Sequence, residues 1–148
     1  MSFSNEFLYD FKPVYEGILM AKDVKPERAI VEVIDEEQEG AGMFEPAGAL
    51  EVLEQIGDDV NTLTIYTDRA AYFWEFVETM YEKNGLVSLI VSKKHLGLAK
   101  KTVGCSSIFL FDFEWDGAFY EKQIALGKHY IPIHKRAWRT AENLDIAV

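Results

Sequence analysis

The chain has 148 residues and a formal net charge of −10, and 49% of its residues are hydrophobic. That length provides one sizeable core and is short for two, so we expect a single domain over residues 1–148. Residues 1–60 carry 15 acidic and only 4 basic side chains. Because such a surface repels phosphate groups, the composition argues against a general nucleic-acid binder and against binding to anionic membranes.

The sequence also lacks the patterns of an exported or membrane-spanning protein. Cys105 is the only cysteine, which excludes an intramolecular disulfide. Residues 1–6 do not show the basic and then apolar regions of a secretory signal, and no apolar run approaches the roughly 20 residues of a membrane span. We therefore expect a soluble cytoplasmic protein.

The chain begins with a predicted helix and strand. Apolar residues at helical spacing predict a helix within residues 7–24, whose regular part should begin near Pro13. Residues 29–34 form the first strand candidate. Glu32 within it suggests that one face of this strand lies near a sheet edge or is only partly covered.

A second helix and the second strand follow. Pro46 should open the helix and Gly57 should end it. Residues 62–66 are rich in β-branched and aromatic side chains, as a buried strand requires. Thr67 and Asp68 are then placed to cap the free amides of a third helix.

The third helix and the strand after it carry the clearest pattern. Its apolar stripe contains Phe73, Phe76, Val77 and Met80, widened by Trp74 and Tyr81. Gly85 should supply a left-handed end to the helix, with Leu86 folding back on it. Residues 86–91 are apolar at almost every position, which predicts a strand covered on both faces.

The last third continues the alternation. Residues 107–111 and 130–133 predict two more strands, and Pro132 restricts the latter to a sheet edge. Residues 118–126 fit a helix ended by Gly127, which we prefer, or an antiparallel strand that would give a mixed sheet. The running order predicts an α/β fold: a three-layer αβα sandwich with a mostly parallel sheet of about five strands, flavodoxin-like or Rossmann-like.

Acidic residues at the predicted strand ends form a candidate metal site. In an open parallel sheet, ligands bind beyond the carboxyl ends of the strands. Asp35, Asp68 and Asp112 follow or end three different strands and could together hold Mg²⁺. The simpler explanation is that Asp112 lies on a solvated strand face and that Asp68 is a helix cap.

Basic residues at the same strand ends form a candidate site for an anion. Lys93-Lys94 and Lys135-Arg136 stand at predicted helix starts, where positive charge opposes the helix dipole. Either a bound anion or pairing with the chain's own carboxylates would compensate for this. The candidate ligand-binding residues are Asp68, Arg69, Lys93, Lys94, His134, Lys135 and Arg136.

No catalytic motif accompanies these residues. There is no Gly-x-Gly-x-x-Gly sequence or phosphate-binding P-loop, and the three histidines do not have a metal-ligand spacing. The aromatic residues suggest a protein-binding surface, because Tyr72, Trp74 and Trp115 could form an exposed patch for dimerisation or for a partner. The alternative for the aromatic surplus is a large core.

The leading hypothesis is therefore a non-catalytic α/β module that binds a small anionic ligand or a protein partner, with homodimerisation expected. The alternative is a Mg²⁺-dependent phosphoester hydrolase, in which Asp35, Asp68 and Asp112 hold the metal and Lys93 or Arg136 binds the phosphate.

Overall fold

A computed structural model of the protein describes residues 10–36, 48–98, 107–114 and 127–133. Its strands are β1 (Ile30–Ile34), β2 (Thr62–Tyr66), β3 (Ser88–Val91), β4 (Ile108–Asp112) and β5 (His129–Pro132). Its α-helices are α1 (Lys12–Ala21), α2 (Ala49–Ile56) and α3 (Trp74–Asn84). Short 3₁₀ turns occupy Pro26–Arg28, Gly57–Asp59, Ala70–Phe73 and Lys93–Leu98.

The five strands form one sheet in the order β3-β2-β1-β4-β5, and every pair of neighbours is parallel. α2 lies between β1 and β2, and α3 lies between β2 and β3. This alternation with an all-parallel sheet confirms the predicted three-layer α/β fold. The order is that of a Rossmann-like sheet rather than the flavodoxin order, in which the second strand lies outermost. β5 ends the sheet on one side, as Pro132 predicted.

The three α-helices within the described ranges pack on one face of the sheet around a single apolar core. Phe11, the N-cap residue of α1, and Tyr15 within α1 contact Phe111 of β4 through their rings. The centre of the sheet and the buried faces of α2 and α3 complete the cluster, which includes Val31, Val33, Val52, Leu53, Ile56, Leu63, Ile65, Phe73, Phe76 and Met80.

The opposite face carries a smaller apolar cluster and a buried ion pair. Leu96 packs there with Ile34, Leu110 and Tyr130, and Tyr66 lies against them. Nearby, Lys128 Nζ lies 2.7 Å from Glu32 Oε1, and both side chains are almost fully enclosed. β1 is the central strand, so Glu32 does not mark a sheet edge, whereas the other alternative, a partly covered face, agrees with its intermediate burial. Lys128, 96 residues further along the chain, supplies the opposite charge.

Several predicted boundaries are confirmed. α1 begins at Lys12, with Pro13 in its first turn. α3 ends at Gly85, which has a φ of 71° and donates its N–H to Tyr81 O. The buried residue Leu86 donates its N–H to Met80 O, which completes the left-handed helix end that the sequence predicted.

Other local predictions are wrong. Neither Thr67 nor Asp68 caps a helix: no side-chain cap occurs at Ala70–Phe73 or at α3. The end of α2 is the exception: it ends at Ile56 with Gly57 as its C-cap, as predicted, although the φ of Gly57 is −54° and not left-handed. A Cβ at Gly57 would lie 2.6 Å from Met80 Sδ, so a larger residue there would have to displace the Met80 side chain. α2 begins at Ala49, not at Pro46.

Some predictions concern residues outside the described ranges. These are the helix or strand at 118–126, the aromatic residue Trp115, and the candidate ligand residues His134, Lys135 and Arg136. Within the described ranges, no helix combines the length and apolar character needed to cross a membrane.

Candidate functional site

The strand order places the topological switch point of the sheet at the carboxyl ends of β1 and β4. The chain proceeds from β1 outward to β3, then returns to the other side of β1 to form β4 and β5. In open α/β sheets, ligands bind at such a reversal. The side chains at this carboxyl rim therefore determine which ligands could bind there.

Asp35, directly after β1, is buried and fully engaged by β2 and its following turn. Arg69 donates to both of its carboxylate oxygens, from Nε at 2.7 Å and from Nη2 at 2.9 Å. Thr67 Oγ1 donates to Asp35 Oδ2 at 2.7 Å and accepts from Arg69 N. The hydrogen bond from Arg69 to Asp35 raises the pKa of the guanidinium further above its ordinary value. This bidentate pair fixes the Arg69 side chain.

Glu36 occupies the amino end of α2. Its Oε1 accepts the Ala49 N–H at 3.0 Å, and its Oε2 lies 3.2 Å from Arg69 Nη2. Burial raises the pKa of Glu36 to about 7, and the neighbouring Asp35 adds to this effect. Asp35 and Glu36 both contact the guanidinium of Arg69, and the charge of Asp35 alone already balances the charge of Arg69.

Lys93 and Asp68 link β3 to other strands. Asp68 Oδ1 accepts from Ser92 Oγ at 3.0 Å and from Lys93 N at 3.2 Å. Lys93 Nζ lies 3.0 Å from Glu114 Oε1, beyond the end of β4, and the lysine side chain is nearly buried. Lys94 is exposed. The bond between Lys93 and Glu114 therefore crosses from the β3 side of the sheet to the β4 side.

Asp112, the last residue of β4, is buried rather than on a solvated face, so that interpretation is wrong. Tyr130 of β5 donates its hydroxyl to Asp112 Oδ2 in a short hydrogen bond, and Oδ1 accepts the Glu114 N–H at 2.9 Å. Both oxygens have protein donors, which accounts for a carboxylate in this enclosed position.

The three predicted metal ligands are engaged separately. Asp35 is paired with Arg69, Asp68 accepts from the start of the 93–98 turn, and Asp112 accepts from Tyr130. Within the parts of the chain that the structure describes, no three histidine, cysteine, aspartate or glutamate side chains form a group that could hold a metal ion.

A second candidate site lies at one edge of the sheet, where β3 is the outermost of the described strands. The prediction that 86–91 is covered on both faces is wrong, because Leu89 is 58% exposed and Val87 is 60% exposed. On the neighbouring helix, Trp74 and Tyr81 are 59% and 62% exposed, so they do not widen the buried stripe. We call these four residues the β3-edge surface; Leu89 points to the sheet face away from α3, because its neighbour Ile90 packs against the core cluster that the helices cover.

The two aromatic residues lie on the side of α3 that faces away from α2. Lys83 Nζ lies 3.8 Å from Asp58, which belongs to the turn after α2. At about 100° per residue, Lys83 is roughly opposite both Trp74 and Tyr81 around the helix. Since α2 lies toward the sheet centre, Trp74 and Tyr81 face outward toward the free edge. Tyr72, predicted to join this patch, is also exposed, but it lies against Arg69, with the guanidinium carbon 4.0 Å from its ring centre.

Sequence reasoning identified Trp74 but missed the other three residues of the β3-edge surface. The available signal was spacing: Trp74 and Tyr81 are seven residues apart, two turns of helix, and the third strand-like apolar run, 86–91, stands between Lys83 and Lys93. Neither feature separates an edge strand from a buried one. Glu36 follows the first predicted strand, but it was not selected as a site residue, because its position at the α2 terminus depends on the fold.

No protein-family model, curated protein or solved structure matches the chain.

Proposed function

We propose that this chain is a non-catalytic module that binds a protein partner through the β3-edge surface. The observation that carries the proposal is the exposure of four large apolar side chains on two adjoining elements at one end of the sheet. Tyrosine and tryptophan are enriched at the centres of protein interfaces. Burying apolar area contributes about 25 cal/mol per Å², so covering such side chains is favourable.

The composition of the edge strand adds to this support. Residues 87–91 contain no charged residue, proline or glycine. Proteins ordinarily protect an exposed strand edge with charges, prolines, bulges or a very short strand, because unpaired backbone groups there invite pairing with another chain. Of those devices, β3 has only its short length of four residues. A partner strand could therefore add at this edge.

The small-anion alternative has less support at the described part of the rim. Arg69 is paired with Asp35 and Glu36, and Lys93 is paired with Glu114. An incoming phosphate would have to displace one of these carboxylates. If an anion does bind here, inorganic phosphate at millimolar concentration should raise the melting temperature of the wild-type chain.

The phosphoester hydrolase alternative requires Asp35, Asp68 and Asp112 to leave their present partners and share one ion. Turnover of a generic phosphoester that depends on Mg²⁺ would support it, and loss of that turnover in Asp112→Asn would assign the aspartate. The binding module predicts no such turnover.

The proposed function can be tested in the cells that express the protein, with a photo-crosslinking amino acid at a single position. We expect protein adducts from position 74 and not from position 20. Met20 is the matched control, because it is 81% exposed but lies on α1, away from β3. An absence of adducts at position 74, or equal adducts at both positions, would contradict the proposal.

A further inference from the structure

We infer that the partner at the β3-edge surface is a second copy of this chain, whose β3 pairs antiparallel with the first across a two-fold axis. The inference rests on the proposed function and names the occupant of the same surface. A two-fold arrangement uses one patch on both copies, so the patch must complement itself. Backbone direction, side-chain register and charge each meet that requirement.

The backbone alternation of β3 fixes which groups are free to pair. Val91 O accepts the Thr67 N–H at 2.9 Å, so the polar groups of Val91 point toward β2. Alternate residues of a strand direct their N–H and C=O groups to opposite sides. Those of Leu89 therefore also point inward, and those of Ser88 and Ile90 point toward the free edge. No described strand lies on that side of β3.

One antiparallel register uses all of these outward groups. If Leu89 lies opposite Leu89 of the second copy, Ser88 of each copy faces Ile90 of the other as a hydrogen-bonded pair. Leu89 then forms the non-hydrogen-bonded pair, in which side chains approach most closely. Val87 lies opposite Val91, so the apolar side chains exposed on this face of the strand cover one another.

Charge at the two ends of β3 favours the antiparallel direction. Glu78 and Glu82 are exposed on the last turns of α3, near the start of β3, and Lys94 is exposed just beyond its end. Two exposed charges of opposite sign are engaged by their own copy: Lys83 lies 3.8 Å from Asp58, and Asp68 accepts the Lys93 N–H. Antiparallel pairing places the start of one strand beside the end of the other, so acidic groups face a basic one. A parallel arrangement would place like charges together. The second copy thus supplies complementary charge as well as a complementary strand.

The test measures mass and then proximity on the purified full chain. Light scattering should give twice the chain mass for the wild type and the single chain mass for Leu89→Lys, which places two like charges opposite each other at the axis. Met20→Lys should remain a dimer. The inference would be overturned if the wild type remained monomeric at concentrations up to about 100 μM. A Kd above that concentration is typical only of weak encounters.

A disulfide test then examines the register in a Cys105→Ser background. Non-hydrogen-bonded partners have Cα atoms about 4.5 Å apart, within reach of a disulfide. Leu89→Cys should therefore form a covalent dimer on mild oxidation. Val87→Cys should not, because the two cysteines would lie about four residues, or roughly 13 Å, apart along the strands.

The outcomes separate the inference from the proposed function. Cellular adducts at position 74 with a monomeric purified chain would overturn the second-copy inference and leave a different protein as the partner. A dimer that survives Leu89→Lys, or one crosslinked by Val87→Cys and not by Leu89→Cys, would overturn the β3 register. A dimer lost in Leu89→Lys and crosslinked at position 89 confirms it.

Discussion

Asp35 is buried at the end of β1 and depends on Arg69 and Thr67 for its hydrogen bonds. In Arg69→Met, the carboxylate would keep only the threonine donor in an enclosed site. We expect the free energy of unfolding in urea to fall by about 2 kcal/mol, less than for a fully buried pair because Arg69 is partly exposed. Lys83→Met is the control: its pair with Asp58 is exposed, so the loss should stay below about 1 kcal/mol. Equal losses would contradict this account.

Glu36 gives the protein a predictable pH dependence. Its pKa is about 7 in the folded chain and near 4.5 when unfolded, because burial disfavours the charged form. The folded chain therefore binds the proton of the Glu36 carboxyl more tightly than the unfolded chain does. The stability that this proton contributes is lost as pH rises from about 4.5 through 7. We expect this group to lower the free energy of unfolding by up to about 3 kcal/mol over that interval.

Glu36→Gln isolates this effect, because glutamine can still accept the Ala49 N–H and does not ionise. Urea unfolding at pH 5 and pH 8 should show a smaller loss of stability in the variant than in the wild type. Parallel pH profiles for the two proteins would show that another group is responsible.

At the scale of elements, the sequence was most informative where one local signal determines the geometry. Gly85 and Leu86 predicted the end of α3 because a left-handed residue followed by an apolar one has few other uses. The existence of β3 was equally clear from its apolar run. The exposure of β3 could not be predicted, because a run of apolar residues suits both a central strand and an edge strand that another chain covers.

Charged residues at the rim were harder to interpret for a related reason. Each candidate was found by its place after a strand, but its partner comes from a distant strand. Asp112 is satisfied by Tyr130, and Lys93 by Glu114. These pairings follow from the strand order, which local patterns do not encode. Thr67 was expected to cap a helix and instead bonds Asp35.

The charges beside β3 predict a reciprocal pair of variants. Lys94→Glu should weaken the dimer severalfold, because it faces Glu82 of the second copy in the antiparallel arrangement. Glu82→Lys combined with Lys94→Glu should restore it, since the two signs are exchanged. A surface pair contributes at most about 1 kcal/mol, so the expected change in Kd by sedimentation is no more than about fivefold per pair. Failure of the double variant to recover would contradict the antiparallel direction.

At the scale of the whole molecule, the acidic composition and the proposed dimer oppose each other. Each copy has a net charge of −10, so two copies repel at long range. The contacts at β3 act at short range and involve few charges. Apolar burial and strand pairing must therefore exceed a repulsion that spreads over the entire surface, and that repulsion is the component most sensitive to salt.

Ionic strength should accordingly strengthen the dimer. Raising NaCl from 10 mM to 150 mM shortens the Debye length from about 30 Å to about 8 Å, which screens repulsion between the bulk of the two copies. The pairs between Lys94 and Glu82 are also weakened, but by less than about 1 kcal/mol. We expect sedimentation equilibrium to give a Kd about tenfold lower at 150 mM. A Kd that rises with salt would mean that ion pairs, rather than the apolar strand edge, hold the two copies together.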